Sequence, residues 1–315
     1  MSIAFLFPGQ GSQAVGMGKE LAETFAASRE IFQEVDDALG QHLFKLMSEG
    51  PIETLTLTEN AQPALMAVSM AVMAALRVEF SVGVERAAFV AGHSLGEYAA
   101  LAAAESISVP DTARLLRLRG QAMQRAVPVG QGAMASLIGP KADVALAETA
   151  AQAGSAAGVC VVANDNNAGN VVISGDKAAV DLAITKAKEL GARAIPLNVS
   201  APFHCPLMRP AAEEMAIALA DVAIVAPKAP LVTNVTARPT LDPDLIRALL
   251  VEQVTGRVRW RETVEWLSEE GGVTVFAEIG AGKVLTGIAK RIAPDADASA
   301  LGAPADLEAF AKSLS

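Results

Sequence analysis

The stretch Ala87-Ala88-Phe89-Val90-Ala91-Gly92-His93-Ser94-Leu95-Gly96-Glu97-Tyr98-Ala99 constrains the fold more than any other part of this 315-residue chain. An apolar run breaks into Gly-x-Ser-x-Gly and then into helix-forming residues, the pattern of a strand, a sharp turn and a helix. Glycines at 92 and 96 let the backbone cross itself closely there, and the serine between them has its hydroxyl pushed out at the top of a sheet. Ser94 sits where a helix begins, so the N–H of Leu95 has no intrahelical partner and is free to donate to a developing oxyanion. A bare Gly-x-Ser-x-Gly arises often by chance; the flanking strand and helix lift this one above that background.

Composition narrows the class. The chain is 52% hydrophobic with few aromatics, which suits alanine-dense helices packed closely around a sheet. Twenty-five basic against thirty-five acidic residues give a net charge of −10, so no broad nucleic-acid face is expected. Cys160 and Cys205 are far apart and lack metal-type spacing, which points to thiols in a reducing compartment. Three histidines leave little room for a metal site. The start of the chain lacks the basic residues of a secretory signal, and the most apolar stretch, Ala64 to Leu76, is shorter than a bilayer span. A cytoplasmic enzyme that avoids membranes is expected.

The expected fold class is α/β. Ile3 to Phe7 reads as a buried parallel strand, and Pro8-Gly9-Gln10-Gly11-Ser12-Gln13 as a bending loop. That loop is not a phosphate-binding motif, because its glycine spacing is wrong and no Lys-Ser/Thr follows. Its amides are expected at the top of the sheet, near the serine. Helical spacing runs from Lys19 to Leu39 and from Leu43 to Met47, and a long helix apolar on nearly all sides runs from Thr58 to about Phe80. Asp111 or Thr112 is the expected cap of the next helix, which carries Arg114, Arg117, Arg119 and Arg125. Arg114 and Arg117 share a side, whereas Arg119 is displaced from both and free to point inward.

Residues 127–199 follow a β-α-β-β-α-β order, with Asn164 to Asn170 as a turn, which is the ferredoxin-like pattern. The expected division is an α/β-hydrolase-like large subdomain with a parallel-sheet core, residues 1–126 and 200–315, and an inserted ferredoxin-like subdomain, 127–199. Strands are expected at Leu231 to Asn234, Val273 to Ile279 and Ala298 to Leu301, with helices between them.

A serine hydroxyl needs an adjacent base. His93 belongs to the strand side of the elbow and is expected to make a structural hydrogen bond; His42 lies among surface helices. His204, on the proline-bounded loop Ser200-Ala201-Pro202-Phe203-His204-Cys205-Pro206, is the best base. An ordinary α/β hydrolase places an acid between serine and histidine, and no Asp in that interval has a suitable strand-end context.

Phe7-Pro8-Gly9-Gln10-Gly11-Ser12-Gln13, Gly92-His93-Ser94-Leu95-Gly96-Glu97, Arg119-Gly120-x-x-Met123-Gln124, Ser200-Ala201-Pro202-Phe203-His204 and Gly280-x-Gly282-Lys283-Val284-Leu285 occur in this order along the whole chain. Together they resemble the malonyl-CoA:acyl carrier protein transacylases of fatty acid synthesis. The resemblance implies that Ser94 is the nucleophile and His204 its base and acid, with the amides of Gln10 and Leu95 as the oxyanion hole. It also implies that a backbone carbonyl, here of Gln253, orients the histidine in place of a carboxylate. Arg119 would pair with the free malonyl carboxylate, with Phe203 and Met123 also in the substrate site. Phe203 and Leu95 resemble the malonyl-selecting members. Ping-pong transfer from malonyl-CoA to the phosphopantetheine thiol of acyl carrier protein would follow, with no metal or redox cofactor, in a monomer. An acidic carrier is expected to dock on a basic patch including Lys283, Lys290 and Arg291, with Arg114 and Arg117 as further candidates.

Three rivals stand beside this reading. A serine esterase or thioesterase has no use for a buried cation at Arg119. A non-catalytic carrier-binding module has no use for Ser94, His204 and Arg119 together. Malonyl loading for a polyketide synthase or a malonate decarboxylase would keep the same chemistry.

Overall fold

Two sheets organise residues 1–314, the part of the chain that the computed structural model describes. In chain order the strands are β1 (Ile3–Phe7), β2 (Phe89–Gly92), β3 (Gly132–Ile138), β4 (Cys160–Asn167), β5 (Asn170–Asp176), β6 (Arg193–Pro196), β7 (Leu231–Val232), β8 (Pro239–Thr240), β9 (Val275–Ile279) and β10 (Asp297–Leu301). The larger sheet has the order β10-β9-β1-β2-β7-β8 and is parallel throughout except for β8, which runs antiparallel to β7. Parallel strands are covered on both faces, so they read as continuous apolar runs. Every residue of β1 is buried.

Helix Thr58–Phe80 shows why helix composition alone misleads. It is long and apolar enough to cross a membrane, yet it packs inside the protein, with most of its residues buried. Neighbouring helices Ala26–Leu39 and Val109–Ala126 cover it. Met66, Met70 and Met73 belong to that core.

The smaller sheet has the order β4-β5-β3-β6 and is antiparallel. Helices Val144–Gly154 and Lys177–Glu189 pack on it through a separate core of alanines, Leu137, Val171 and Ile173. This is the ferredoxin-like arrangement. β4 ties it to the segment before helix Trp260–Glu269: Asp165 N–H donates to Val258 O at 2.9 Å and Val258 N–H to Ala163 O at 2.8 Å. Arg261 adds an ion pair to buried Asp165 at 2.8 Å.

Several local expectations change, among them the strand expected over 231–234, which spans only Leu231–Val232. The helix expected over 19–39 is two helices, Lys19–Thr24 and Ala26–Leu39, because Phe25 is extended and stacks its ring edge-on against Phe80. Ser108 caps the arginine-bearing helix, accepting from Asp111 N–H, and the helix begins at Val109 with Pro110 in its first turn. The strand expected over 192–199 is shorter, Arg193–Pro196. Asn164 to Asn167, expected as a turn from their side chains, belong to β4 with two register irregularities. The contact with Val258 outweighs their turn preference, and it carries Asn164 and Asn166 toward the serine. Helices Ile52–Thr56 and Pro304–Ser313, the short strand β8 and the 3-10 turns Val84–Arg86 and Ser155–Ala157 had no counterpart in the sequence expectations.

Candidate active site

The carboxyl ends of β1, β2 and β7 meet at one crest, and each delivers a polar group. After β2 the chain turns through Ser94, whose φ of 55° is unusual for a non-glycine residue, and enters helix Gly96–Ala103. A side chain at Gly92 would overlap the Gly96 carbonyl, and one at Gly96 would overlap the Phe7 carbonyl, so only glycine fits either place. After β7, Asn234 fastens the turn: its Oδ1 accepts from Ser94 N–H at 2.7 Å and its Nδ2 donates to Gly92 O at 2.6 Å. After β1, the loop places Gln10 across from Leu95. Neither the Gln10 nor the Leu95 backbone N–H donates to a protein acceptor among the described residues, and both residues line the same cavity. Two free amides facing one space can hold an oxyanion.

His204 also has a left-handed backbone, with φ 56°, and is buried. Its Nδ1 lies 2.9 Å from Gln253 O and its Nε2 lies 2.7 Å from Ser94 Oγ. A carbonyl only accepts, so Nδ1 carries the proton and Nε2 offers its lone pair to the serine hydroxyl. Burial, reinforced by the charge of Arg119, pushes the imidazole down to about 3 against the bond to Gln253. The ring is therefore neutral and able to take the hydroxyl proton throughout the physiological range.

Arg119 is almost wholly buried beside this pair. Its Nη2 donates to Ser94 Oγ at 3.2 Å and to Gln253 Oε1 at 2.8 Å, and its Nη1 donates to Gln62 Oε1 at 2.8 Å. Its Nε has no partner, and no carboxylate stands within ion-pair distance among the described residues. Burial lowers its pKa, yet an arginine stays charged in such a setting. A desolvated cation held by two neutral amides beside a serine hydroxyl has the chemistry to receive an anion.

Gln253 joins the pieces. Its carbonyl orients His204, its Oε1 holds Arg119, and its Nε2 donates to Ser94 O at 2.8 Å and to Glu97 Oε2 at 2.6 Å. The cavity in front is about 360 Å³ and is walled by strands of the smaller sheet and by loops and helices at the crest of the larger one. Met123 and Phe203 line it, as do Asn164, Asn166 and Asn170.

Comparison with known proteins identifies the family. Residues 4–301 match the acyl transferase domain family. The chain belongs to the acyl transferase family. The Escherichia coli (strain K12) malonyl CoA-acyl carrier protein transacylase is 44% identical over 307 residues, covering 97% of each chain. The crystal structure of an acyl-carrier-protein-S-malonyltransferase from Bartonella henselae is 54% identical, covers 100% of this chain and 99% of its own, and superposes with a TM-score of 0.96. A type II PKS acyl-carrier protein in complex with its malonyl-transacylase contains a chain 40% identical to this one, with 99% and 100% coverage and a TM-score of 0.95.

Sequence reading placed Ser94, His204, Arg119, Gln253, Gln10, Leu95, Met123 and Phe203 in this acyltransferase's site, and the fold brings all eight around one cavity or against its residues. His93 points away from the serine hydroxyl, with Nε2 2.9 Å from Asn166 Oδ1. His42 is exposed. Arg114 and Arg117 do not line the cavity: Arg114 pairs with Asp111, and Arg117 is half-buried near Glu59. Gln62, Asn234 and Glu97 went unrecognised. Gln62 had a signal, being a polar residue on an apolar buried helix, where an amide must find a partner. Asn234 had a weaker one, at the end of a parallel strand.

Proposed function

We propose that this acyltransferase moves a malonyl group from malonyl-CoA to the phosphopantetheine thiol of an acyl carrier protein, through an ester on Ser94. The observation that carries this reading is Arg119, a buried cation without a carboxylate, 3.2 Å from the nucleophile. A neutral acyl group would leave that charge without a direct anionic partner, whereas the malonyl carboxylate pairs with it.

His204 Nε2 takes the Ser94 proton as Oγ attacks the thioester carbon, and the Gln10 and Leu95 amides hold the oxyanion. Collapse breaks the carbon–sulfur bond, and His204 returns the proton to the leaving CoA thiolate. The carrier's thiol then gives its proton to His204 and attacks the ester carbon, and Ser94 leaves and is reprotonated. No step needs a metal or redox cofactor. Asn164 Oδ1, buried at the cavity wall without a partner, suits an amide N–H of the pantetheine arm.

The reading includes a monomer in the cytoplasm serving fatty acid synthesis. An acidic carrier would meet exposed Lys283, which precedes helix Val284–Ile292, and exposed Lys290 and Arg291 on that helix, whose first residues line the cavity. Reversing Lys290 and Arg291 to Glu is expected to raise the carrier's KM and leave acylation by malonyl-CoA unchanged. A carrier of polyketide synthesis is the second reading, because one structural relative is bound to a type II PKS carrier.

Mass spectrometry of the protein with malonyl-CoA tests the proposal. The expected result is a malonyl adduct on Ser94 that passes to added holo carrier protein. Rapid hydrolysis without transfer would select an esterase, and no adduct at all a binding module.

A further inference from the structure

Glu97 is a buried carboxylate that the steps above do not use. Its Oε2 accepts from Gln253 Nε2 at 2.6 Å and from Asn234 N–H at 3.3 Å. Gln253 then turns its Oε1 to Arg119 Nη2 at 2.8 Å. An amide has one acceptor end and one donor end, so the carboxylate fixes which end of Gln253 faces the cation. The chain Glu97–Gln253–Arg119 therefore joins a buried negative charge to the buried positive one through a single neutral side chain.

An incoming malonyl carboxylate would occupy the open side of Arg119. Two carboxylates would then flank one guanidinium in a water-poor site, an arrangement that disfavours ionisation of both. The substrate carboxylate makes direct contact with the cation, and Glu97 does not. Glu97 is thus the group that gives way. We propose that Glu97 is the resident counter-charge of Arg119, a positioning residue acting through Gln253, and that it takes up a proton from solvent when the malonyl carboxylate binds.

The inference rests on the malonyl-transfer reading and adds a proton linkage to it. Burial already pushes the Glu97 carboxyl up to about 7, against the bonds from Gln253 and Asn234 and the charge of Arg119. The other titratable groups around it are Tyr98 on its own helix, pushed up to about 12, and His204 and His93, both held neutral by burial. Glu97 is therefore the group of this cluster poised to change charge near neutrality. The sign follows: the malonyl carboxylate favours protonated Glu97, so malonyl loading is strongest below pH 7 and weakens as pH rises through and above it. Acetyl loading lacks the second carboxylate and does not share this dependence.

Calorimetry in buffers of different ionisation enthalpy measures protons taken up as the protein is acylated by malonyl-CoA, with acetyl-CoA as the blank. Both thioesters move one proton from serine to thiol, so that proton cancels when heats are scaled to ester formed. Net uptake with malonyl alone is expected near pH 8, together with a fall in the malonyl-to-acetyl loading ratio of about tenfold from pH 6 to pH 9, the factor for a one-unit shift. In Glu97→Gln, where the amide oxygen still accepts from Gln253, both the uptake and the slope should vanish. Normal malonyl ester on Ser94 with no proton uptake in the unaltered protein overturns this inference alone. The same uptake in Glu97→Gln also overturns it. Absence of any malonyl ester overturns the acyl-transfer reading, and this inference with it.

Discussion

Two arginines, one at the crest of the parallel sheet and one at the seam between the sheets, show how the same side chain serves opposite ends. Arg261 at the seam is saturated with charge: Asp165 lies 2.8 Å from Nη2, and Glu265 accepts from Nη1 at 2.8 and 2.9 Å. Burial pulls its pKa down, but the bonds and charges of the two carboxylates outweigh that and hold it above the ordinary guanidinium range. Arg119 at the crest is more deeply buried, yet its direct acceptors are two neutral amides and a hydroxyl, and its pKa falls. A cation whose charge is fully answered holds subdomains together. One whose charge is answered only at a distance is ready for a ligand.

The contrast breaks if the two arginines respond alike to removal. Arg261→Ala leaves Asp165 buried without its cation and should lower unfolding free energy by about 3 kcal/mol, the lower end for such a pair because Arg261 is partly exposed. Urea denaturation reads that loss, while the malonyl-to-acetyl loading ratio should stay unchanged; a shifted ratio would blur the distinction. Arg119→Ala should do the reverse. A hydrogen bond to a charged group contributes about 1.5–3 kcal/mol, so the loading ratio should fall roughly 10- to 150-fold. Its urea midpoint should fall less than that of Arg261→Ala, since losing a desolvated cation offsets the Gln62 and Gln253 oxygens left without a donor, and equal losses of malonyl and acetyl loading would refute the anion-receptor role.

Smaller effects sharpen the comparison within the crest. Asn234→Ala removes the acceptor of Ser94 N–H and the donor to Gly92 O, so it should slow malonyl and acetyl loading together, by roughly tenfold for about 1–1.5 kcal/mol. A malonyl-selective loss would mean that Asn234 acts through Arg119 instead of through the elbow. The smallest expected effect is none. With His204 at about 3, the rate of acylation by acetyl-CoA should be flat from about pH 5 to pH 8. Stopped-flow measurement of a fall centred near 6.5 would show the imidazole titrating as in water.

How far the site could be read before folding depended on how local its chemistry is. Gly92-His93-Ser94-Leu95-Gly96 was legible because a tight turn demands glycine at fixed offsets, and those demands are written within a few residues. Arg119 was legible in part, since its helical offset from Arg114 and Arg117 freed it to point inward. Asn164 to Asn167 were misread as a turn for the opposite reason: their intrinsic preference is real, but a strand contact with Val258, about 90 residues later, overrides it. Gln62, Glu97 and Asn234 carried little signal, because each matters only through a partner distant in sequence.

The sequence alone determined the alternation of strands and helices, the elbow, the inserted β-α-β-β-α-β unit and the chemical types available for catalysis. These follow from periodicity and turn chemistry, which act over a few residues. Only the tertiary structure decided what answers the charge of Arg119. That question depends on burial and on distances of about 3 Å between side chains far apart in the chain, Gln62, Gln253 and Glu97 among them. Desolvation makes those distances count, and desolvation exists only once the chain has closed around the site.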